Sequence, residues 1–227
     1  MLNPADWLAL WLSIKLAAIS TGLLLLVGIP LARWLSSGNN RIKIVVSALV
    51  TLPLILPPSV LGFYLLLSLG PQGPIGQLCN WLGIGLLPFS FNGLVVASLI
   101  YSLPFVVQPL QNTFQQLGRQ PQELAKSLGA TRYQALTKIL IPEARAGIIC
   151  SAVLGFAHTM GEFGMVLMIG GNIPGSTQVV AVQIYNHVEA FEYHDASVLS
   201  AILLIFSFTV LIITYLINHN NNAVINR

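Results

Sequence analysis

Charge is scarce in this sequence. Ten Lys and Arg and seven Asp and Glu are spread over 227 residues, where a soluble domain carries about a quarter charged residues. A water-exposed globule is thereby excluded, because too little polar surface exists to cover a core of this size, and lipid becomes the solvent for most of the chain. The net charge of +3 comes without a basic cluster on a polar face, so a nucleic-acid partner is excluded too. Cysteine is nearly absent. Cys79 and Cys150 fall in different segments at no metal or redox spacing and read as small apolar fillers. Also missing are a glycine-rich phosphate loop ending in Lys and Ser or Thr, an HExxH pair, clustered metal ligands and an acidic pair placed for acid-base work. The chain is expected to hold no ATP site, metal or cofactor and not to be an enzyme. The N-terminal MLNPADWLALWLSIK lacks the positive region and cleavage site of a secretory signal and reads as retained.

What the sequence has instead is long apolar runs. A spanning helix needs about 20 apolar residues, and five segments qualify: Leu8 to Ala32, Ile44 to Leu69, Phe91 to Phe114, Ala146 to Ile169 and Ala196 to Ile217. The expected fold is an all-α, integral membrane bundle of about five transmembrane helices forming one domain over 1–227. Lys15, near one end of the first run, can snorkel outward. The Asn-rich stretch from Asn218 to Asn222 reads as a frayed tail.

Orientation follows from the connections, since Lys and Arg are retained on the cytoplasmic side. Arg33, Arg41 and Lys43 lie between the first two runs; Arg119, Lys126, Arg132, Lys138 and Arg145 lie between or flank the third and fourth; Arg227 follows the fifth. The connection from Gly70 to Ser90 is uncharged, and that from Gly170 to Asp195 carries only Glu189, Glu192 and Asp195. This pattern places the N-terminus outside and the C-terminus inside.

Prolines punctuate the runs: Pro30, then Pro53, Pro57 and Pro58, then Pro104 and Pro109. Kinks of this kind belong at protein-facing or cavity-facing positions, which favours a pathway over a simple anchor. In the fourth run an acidic residue, Glu162, is flanked by Gly161 and Gly164. Charge in hydrocarbon costs several kcal/mol, so Glu162 reads either as a hinge or gate residue on a central pathway or as a structural carboxyl bonded between helices. Pro57 and Pro58 join the gate candidates. His158 lies one turn before Glu162 on the same face and could be its partner, although it reads first as a lone interfacial histidine.

The most polar stretch, ELAKSLGATRYQALTKILIP from Glu123 to Pro142, falls in the cytoplasm by this topology. Pro121 suits a first helical position, Glu123 suits the positive end of that helix, and Gly129 can end it in a left-handed conformation. Thr131 with Gln134 has the form of a capping box that starts a second helix. The spacing of Glu123, Ala125, Gly129, Ile139, Ile141 and Pro142 resembles the EAA loop of permease subunits of type I ABC importers. Leu124 stands where that pattern has its first Ala, and Ile141 where it has Leu. The stretches LPLILPPSVLGFYLLLSLGPQGPIG (52–76) and FAHTMGEFGMVLMIGGNIPGSTQ (156–178) are similar to molybdate permease subunits and their sulfate and tungstate relatives. In those relatives Arg commonly stands at the position of His158 and Leu at that of Met160.

The resemblance implies the type I ABC importer permease fold in the bacterial cytoplasmic membrane. It implies a homodimer with a second copy of the chain, two ABC ATPase subunits below and a periplasmic or extracellular oxyanion-binding protein above. The coupling segment within the domain would be 119–142, with Glu123, Leu124, Ala125, Leu128, Gly129 and Ala130 on the ATPase. Molybdate is the expected substrate, with sulfate or tungstate as alternatives. A secondary carrier acting alone would show buried coupling charges and often inverted repeats, for which only Glu162 answers.

Overall fold

The computed structural model describes residues 2–38, 40–118, 123 and 129–225. The chain opens with α1, Pro4–Ser36, which starts where Asn3 caps the helix: its side chain accepts from Asp6 N–H while Asp6 accepts from Asn3 N–H, and Pro4 occupies the first turn, where no N–H is needed. At 1.5 Å per residue, a helix of 33 residues is about 50 Å long and overshoots the hydrocarbon layer at both ends. Then follow α2, Arg41–Ile55, α3, Pro58–Leu69, and a short α4, Pro74–Trp81. Helix α5, Phe91–Leu117, is capped by Ser90 Oγ accepting from Gly93 N–H. Beyond the polar segment, α6 runs from Arg132–Ala135 through the wide turns of Leu136–Leu140 to Ile141–Glu143. Last come α7, Arg145–Met160, α8, Gly164–Gly170, α9, Val180–Glu189, and α10, Tyr193–Ile225.

The all-α bundle is as expected, with two corrections to its spans. Helices α1, α5 and α10 are each long and apolar enough to cross a membrane, and five spans result if each of two bent helix pairs counts as one, but the second and fourth expected runs are not single helices. Between Arg41–Ile55 and Pro58–Trp81 the chain bends by 114°, and between Tyr133–Glu143 and Arg145–Met160 by 69°. The run Ile44 to Leu69 is interrupted because a residue before proline is pushed out of the α region. Leu56 precedes Pro57 and Pro57 precedes Pro58, and both take extended ψ, 136° and 137°. The run Ala146 to Ile169 ends its first helix at Met160, and Gly161, Glu162 and Phe163 separate α7 from α8. The Asn-rich tail also departs from expectation, since the α10 backbone stays helical to Ile225.

Helices α1, α5 and α7 form the centre of the bundle, and α10 packs outside them against α7 and α9. Small residues set their spacing, as lipid supplies no hydrophobic drive between helices. A Cβ added at Gly155 would lie 2.5 Å from Val106 Cγ2, and one at Gly147 2.7 Å from Thr113 Cβ. Three apolar clusters result among the described residues, a small one around Leu10, Val180 and Leu199 and two larger ones. Leu16, Leu69, Leu94, Met165 and Ile169 fill one end of the bundle, and Leu24, Val106, Leu110, Phe114 and Leu140 the other. Cys79 and Cys150 are both buried. The outward side of α10, with Leu204, Ile205 and Phe208 more than 60% exposed, is a lipid-facing surface.

Candidate functional site

Three regions carry polar chemistry. The first follows α5. Glu123 is helical and exposed, and Ala130 lies between the Gly129 turn and α6. Gly129 has φ +79°, the left-handed geometry of a helix end, and among the described residues an added Cβ there meets nothing within 4 Å. The expected capping box is formed: Thr131 N–H donates to Gln134 Oε1 at 3.0 Å, and Gln134 N–H to Thr131 Oγ1 at 3.2 Å. Leu124, Ala125 and Leu128, with Arg119, Pro121 and Lys126, lie outside the described residues.

The second region is where the two broken runs meet. A cavity of about 570 Å³ is lined by Pro58 and Ser59 of α3, Tyr101 of α5, His158 of α7, and Gly161, Glu162 and Gly164. Four of the five gate candidates are thus brought together, Pro58 from more than a hundred residues before Gly161, Glu162 and Gly164. Contact is close, as a Cβ on Gly164 would lie 3.2 Å from Pro58 Cβ. Pro57 is the N-cap residue of α3 and stands just outside the lining. Glu162 is 5% exposed, and neither of its carboxyl oxygens has a hydrogen-bond partner. Ser98 of α5 approaches it closely enough to interact, but its hydroxyl too is without a hydrogen bond of normal geometry.

The expected pairing of His158 with Glu162 is not made. His158 Nδ1 lies 2.9 Å from Ser102 Oγ, and its ring is stacked on Phe105 with centroids 3.7 Å apart. Thr159 donates its proton to Gly155 O, so Ser102, 3.0 Å from Thr159 Oγ1, donates to Thr159 and accepts from His158 Nδ1–H. The chain of hydroxyls sets the tautomer and turns the imidazole away from the carboxyl.

The third region was not anticipated from sequence. Asp6, fully buried, accepts at Oδ1 from Gln183 Nε2 at 2.9 Å and from His187 Nε2 at 2.8 Å, and at Oδ2 from Asn3 N–H at 2.9 Å. His187 Nδ1 lies 2.7 Å from Glu192 Oε2. A ring with a carboxylate at each nitrogen donates from both, which is the imidazolium form. Burial opposes the charge at His187, but the hydrogen bonds and charges of Asp6 and Glu192 outweigh it and raise its pKa above the ordinary 6.5. Ser13 Oγ accepts from Val180 N–H at 2.8 Å on the same side of α1. Together these bonds tie the start of α1 to α9 and to the start of α10. His187, Glu192 and Asp195 are the described residues nearest to a metal-ligand geometry, with donor atoms within 4.8 Å of one another, but both nitrogens of His187 are already engaged. The one sequence signal for this region was the form Asn3-x-x-Asp6, a capping box placed just before the first apolar run.

Comparison with known proteins places these regions in a family context. Residues 25–224 match the family described as binding-protein-dependent transport system inner membrane component. The chain is similar to the molybdenum transport system permease protein ModB of Azotobacter vinelandii, 55% identical over 214 residues that cover 94% of this chain and 95% of that one. It is 33% identical to the protein of the same name from Escherichia coli (strain K12), over 83% of this chain and 82% of that one. A probable sulfate transport system permease protein of Zygnema circumcarinatum is 32% identical over 89% of this chain and 69% of that one. Among solved structures, a bacterial ABC transporter involved in import of the acidic polysaccharide alginate matches in fold, with TM-score 0.71 at 17% identity, over 98% of this chain and 80% of that one.

Proposed function

The chain belongs to the family of binding-protein-dependent transport system inner membrane components, and from that premise we propose that it is the membrane-spanning permease subunit of an ATP-driven molybdate importer. The observation that carries the substrate is the 55% identity to a molybdenum permease over almost the whole of both chains, against 32% to a sulfate permease. ATP is hydrolysed by a separate subunit, and a soluble binding protein delivers the anion from outside. Two copies of this chain enclose the pathway. The segment 119–142, with Glu123, Leu124, Ala125, Leu128, Gly129 and Ala130, rests on the ATPase. Closure of the ATPases moves these coupling segments together and turns the pathway outward, and release after hydrolysis returns it inward. The break that gathers Pro58, Gly161, Glu162 and Gly164 supplies the hinge.

A doubly charged anion held in a medium of low dielectric needs compensating charge or several converging donors. Apart from Lys15, no Lys or Arg falls deep in a spanning run, so the permease offers weak contacts and selectivity resides in the binding protein. Reconstituted permease and ATPase without binding protein should show little molybdate-stimulated ATP hydrolysis, and adding the loaded binding protein should restore it. Stimulation by sulfate but not by molybdate would overturn the substrate. Submicromolar molybdate binding by the isolated permease would overturn the division of labour.

Orientation is open to a separate test. With the N-terminus outside, a cysteine replacing Ser176, before α9, should react with a membrane-impermeant maleimide added outside, and one replacing Ser37, after α1, only once the membrane is opened. Labelling of both from one side would refute the five-span topology.

A further inference from the structure

Two features of the cavity remain unused by the hinge. Helix α3 has twelve residues and begins inside the bent apolar pair with no side-chain cap. The N–H groups of Val60 and Leu61 are both taken by Pro57 O, and Pro58 has none. The Ser59 N–H is therefore the orphan donor of the first turn, and it stands beside the Ser59 hydroxyl at the positive end of the helix dipole. The second feature is independent. Glu162 is buried, lines the same cavity, and has no partner at either oxygen. No Lys or Arg is among the lining residues, and the other titratable groups on the cavity wall are Tyr101 from α5 and His158 from α7, the latter engaged with Ser102.

A helix N-terminus attracts an anion, whereas a carboxylate repels one. A carboxyl and a tetrahedral oxyanion can meet only if one proton lies between them, because both otherwise present acceptors alone. We infer that the cavity is a transient contact site for a tetrahedral oxyanion, held between the first turn of α3 and the Glu162 carboxyl with one shared proton. The inference rests on the oxyanion-import reading above and names the residues of that pathway. The proton comes from solution, on the anion or on the carboxyl. Only an O–H bond is made or broken, and the contact dissolves when the proton is lost. Such a site admits an anion with no fixed cation in the membrane, and its grip is weak enough to release.

The test uses the full complex with ATPase and binding protein in liposomes, measuring molybdate uptake between about pH 6 and about pH 9. An amide at this position donates N–H at every pH. Uptake by the wild type should therefore fall more steeply with rising pH than uptake by Glu162→Gln, with the pH responses of the ATPase, the binding protein and His187 common to both. A His158→Gln variant should keep the wild-type slope. Ser59→Asp, which adds charge at a helix start that tolerates it structurally, should reduce uptake roughly tenfold, the scale of one hydrogen bond to a charged group, while Ser59→Asn, which adds no charge, should lose clearly less. Identical pH profiles in the wild type and Glu162→Gln, or equal uptake by Ser59→Asp and Ser59→Asn, would overturn the contact. The Ser59 pair decides the matter if Glu162→Gln does not assemble. A wild-type complex that transports sulfate and never molybdate would overturn the substrate assignment and leave the oxyanion contact to be judged by the same variants.

Discussion

Gly129→Asp should abolish ATP-driven uptake while membrane insertion and dimer formation stay near normal. Gly129 stands at φ +79°, a region costly for residues with a Cβ, though Asp tolerates it better than most. The described surroundings leave open space there, so a clash is not the cause of the loss. Two effects remain. The new side chain disfavours the left-handed turn before the capped start of α6, and it places a negative charge on the surface proposed to meet the ATPase. A rigid link is required, because α6 is joined to α7 through a bend of 69° and α7 carries the pathway residues. Uptake and substrate-stimulated ATP hydrolysis should fall together by at least about two orders of magnitude, equivalent to ~3 kcal/mol of lost coupling. Undiminished stimulated hydrolysis in this variant would remove Gly129 from the coupling surface. Gly129→Asn, which accepts the same backbone geometry without charge, should keep a measurable fraction of activity.

Asp6→Ala should have the largest effect on stability. The substitution strips two side-chain donors, Gln183 and His187, of their shared acceptor and leaves an imidazolium with only the exposed side of its pairing, to Glu192. Removing one partner of a buried pair costs about 3 kcal/mol, and the loss should appear as a lower melting temperature in detergent. The link to pH has a definite sign. His187 is raised above 6.5 in the folded protein, so its contribution is fully present below that value and is lost as pH rises through the higher folded value. Stability should therefore decline as pH rises above 6.5, and His187→Gln should flatten the decline. A wild type whose melting temperature climbs through that window, with the same climb in His187→Gln, would refute the ion-pair account.

The turn at Gly129 and the start of α6 could be read directly from sequence because their geometry is local. The left-handed turn at Gly129 and the reciprocal bonds of Thr131 and Gln134 depend on residues within a few positions of one another. The outer tie was hidden for the opposite reason. Asp6 and His187 are 181 residues apart, and nothing in the pattern around either announces a partner. The pairing expected between His158 and Glu162 failed on the same ground: helical spacing puts them on one face, but the hydroxyls of Ser102 and Thr159, brought by packing of α5 on α7, draw the imidazole elsewhere.

The sequence by itself determined that the chain is a helical membrane protein, because hydrocarbon admits only closed hydrogen-bonding structures and apolar runs of spanning length. It also marked Gly129 as a left-handed position, since glycine acts on its own backbone. Only the tertiary structure decided that the breaks after Leu56 and Met160 face each other around one cavity, that Glu162 enters it unpartnered, and that α1 is tied to α9 and α10. Those outcomes depend on which helices approach one another, and that is set by small residues such as Gly147 and Gly155 fitting against Thr113 and Val106, a complementarity of shape between distant segments that no local pattern encodes.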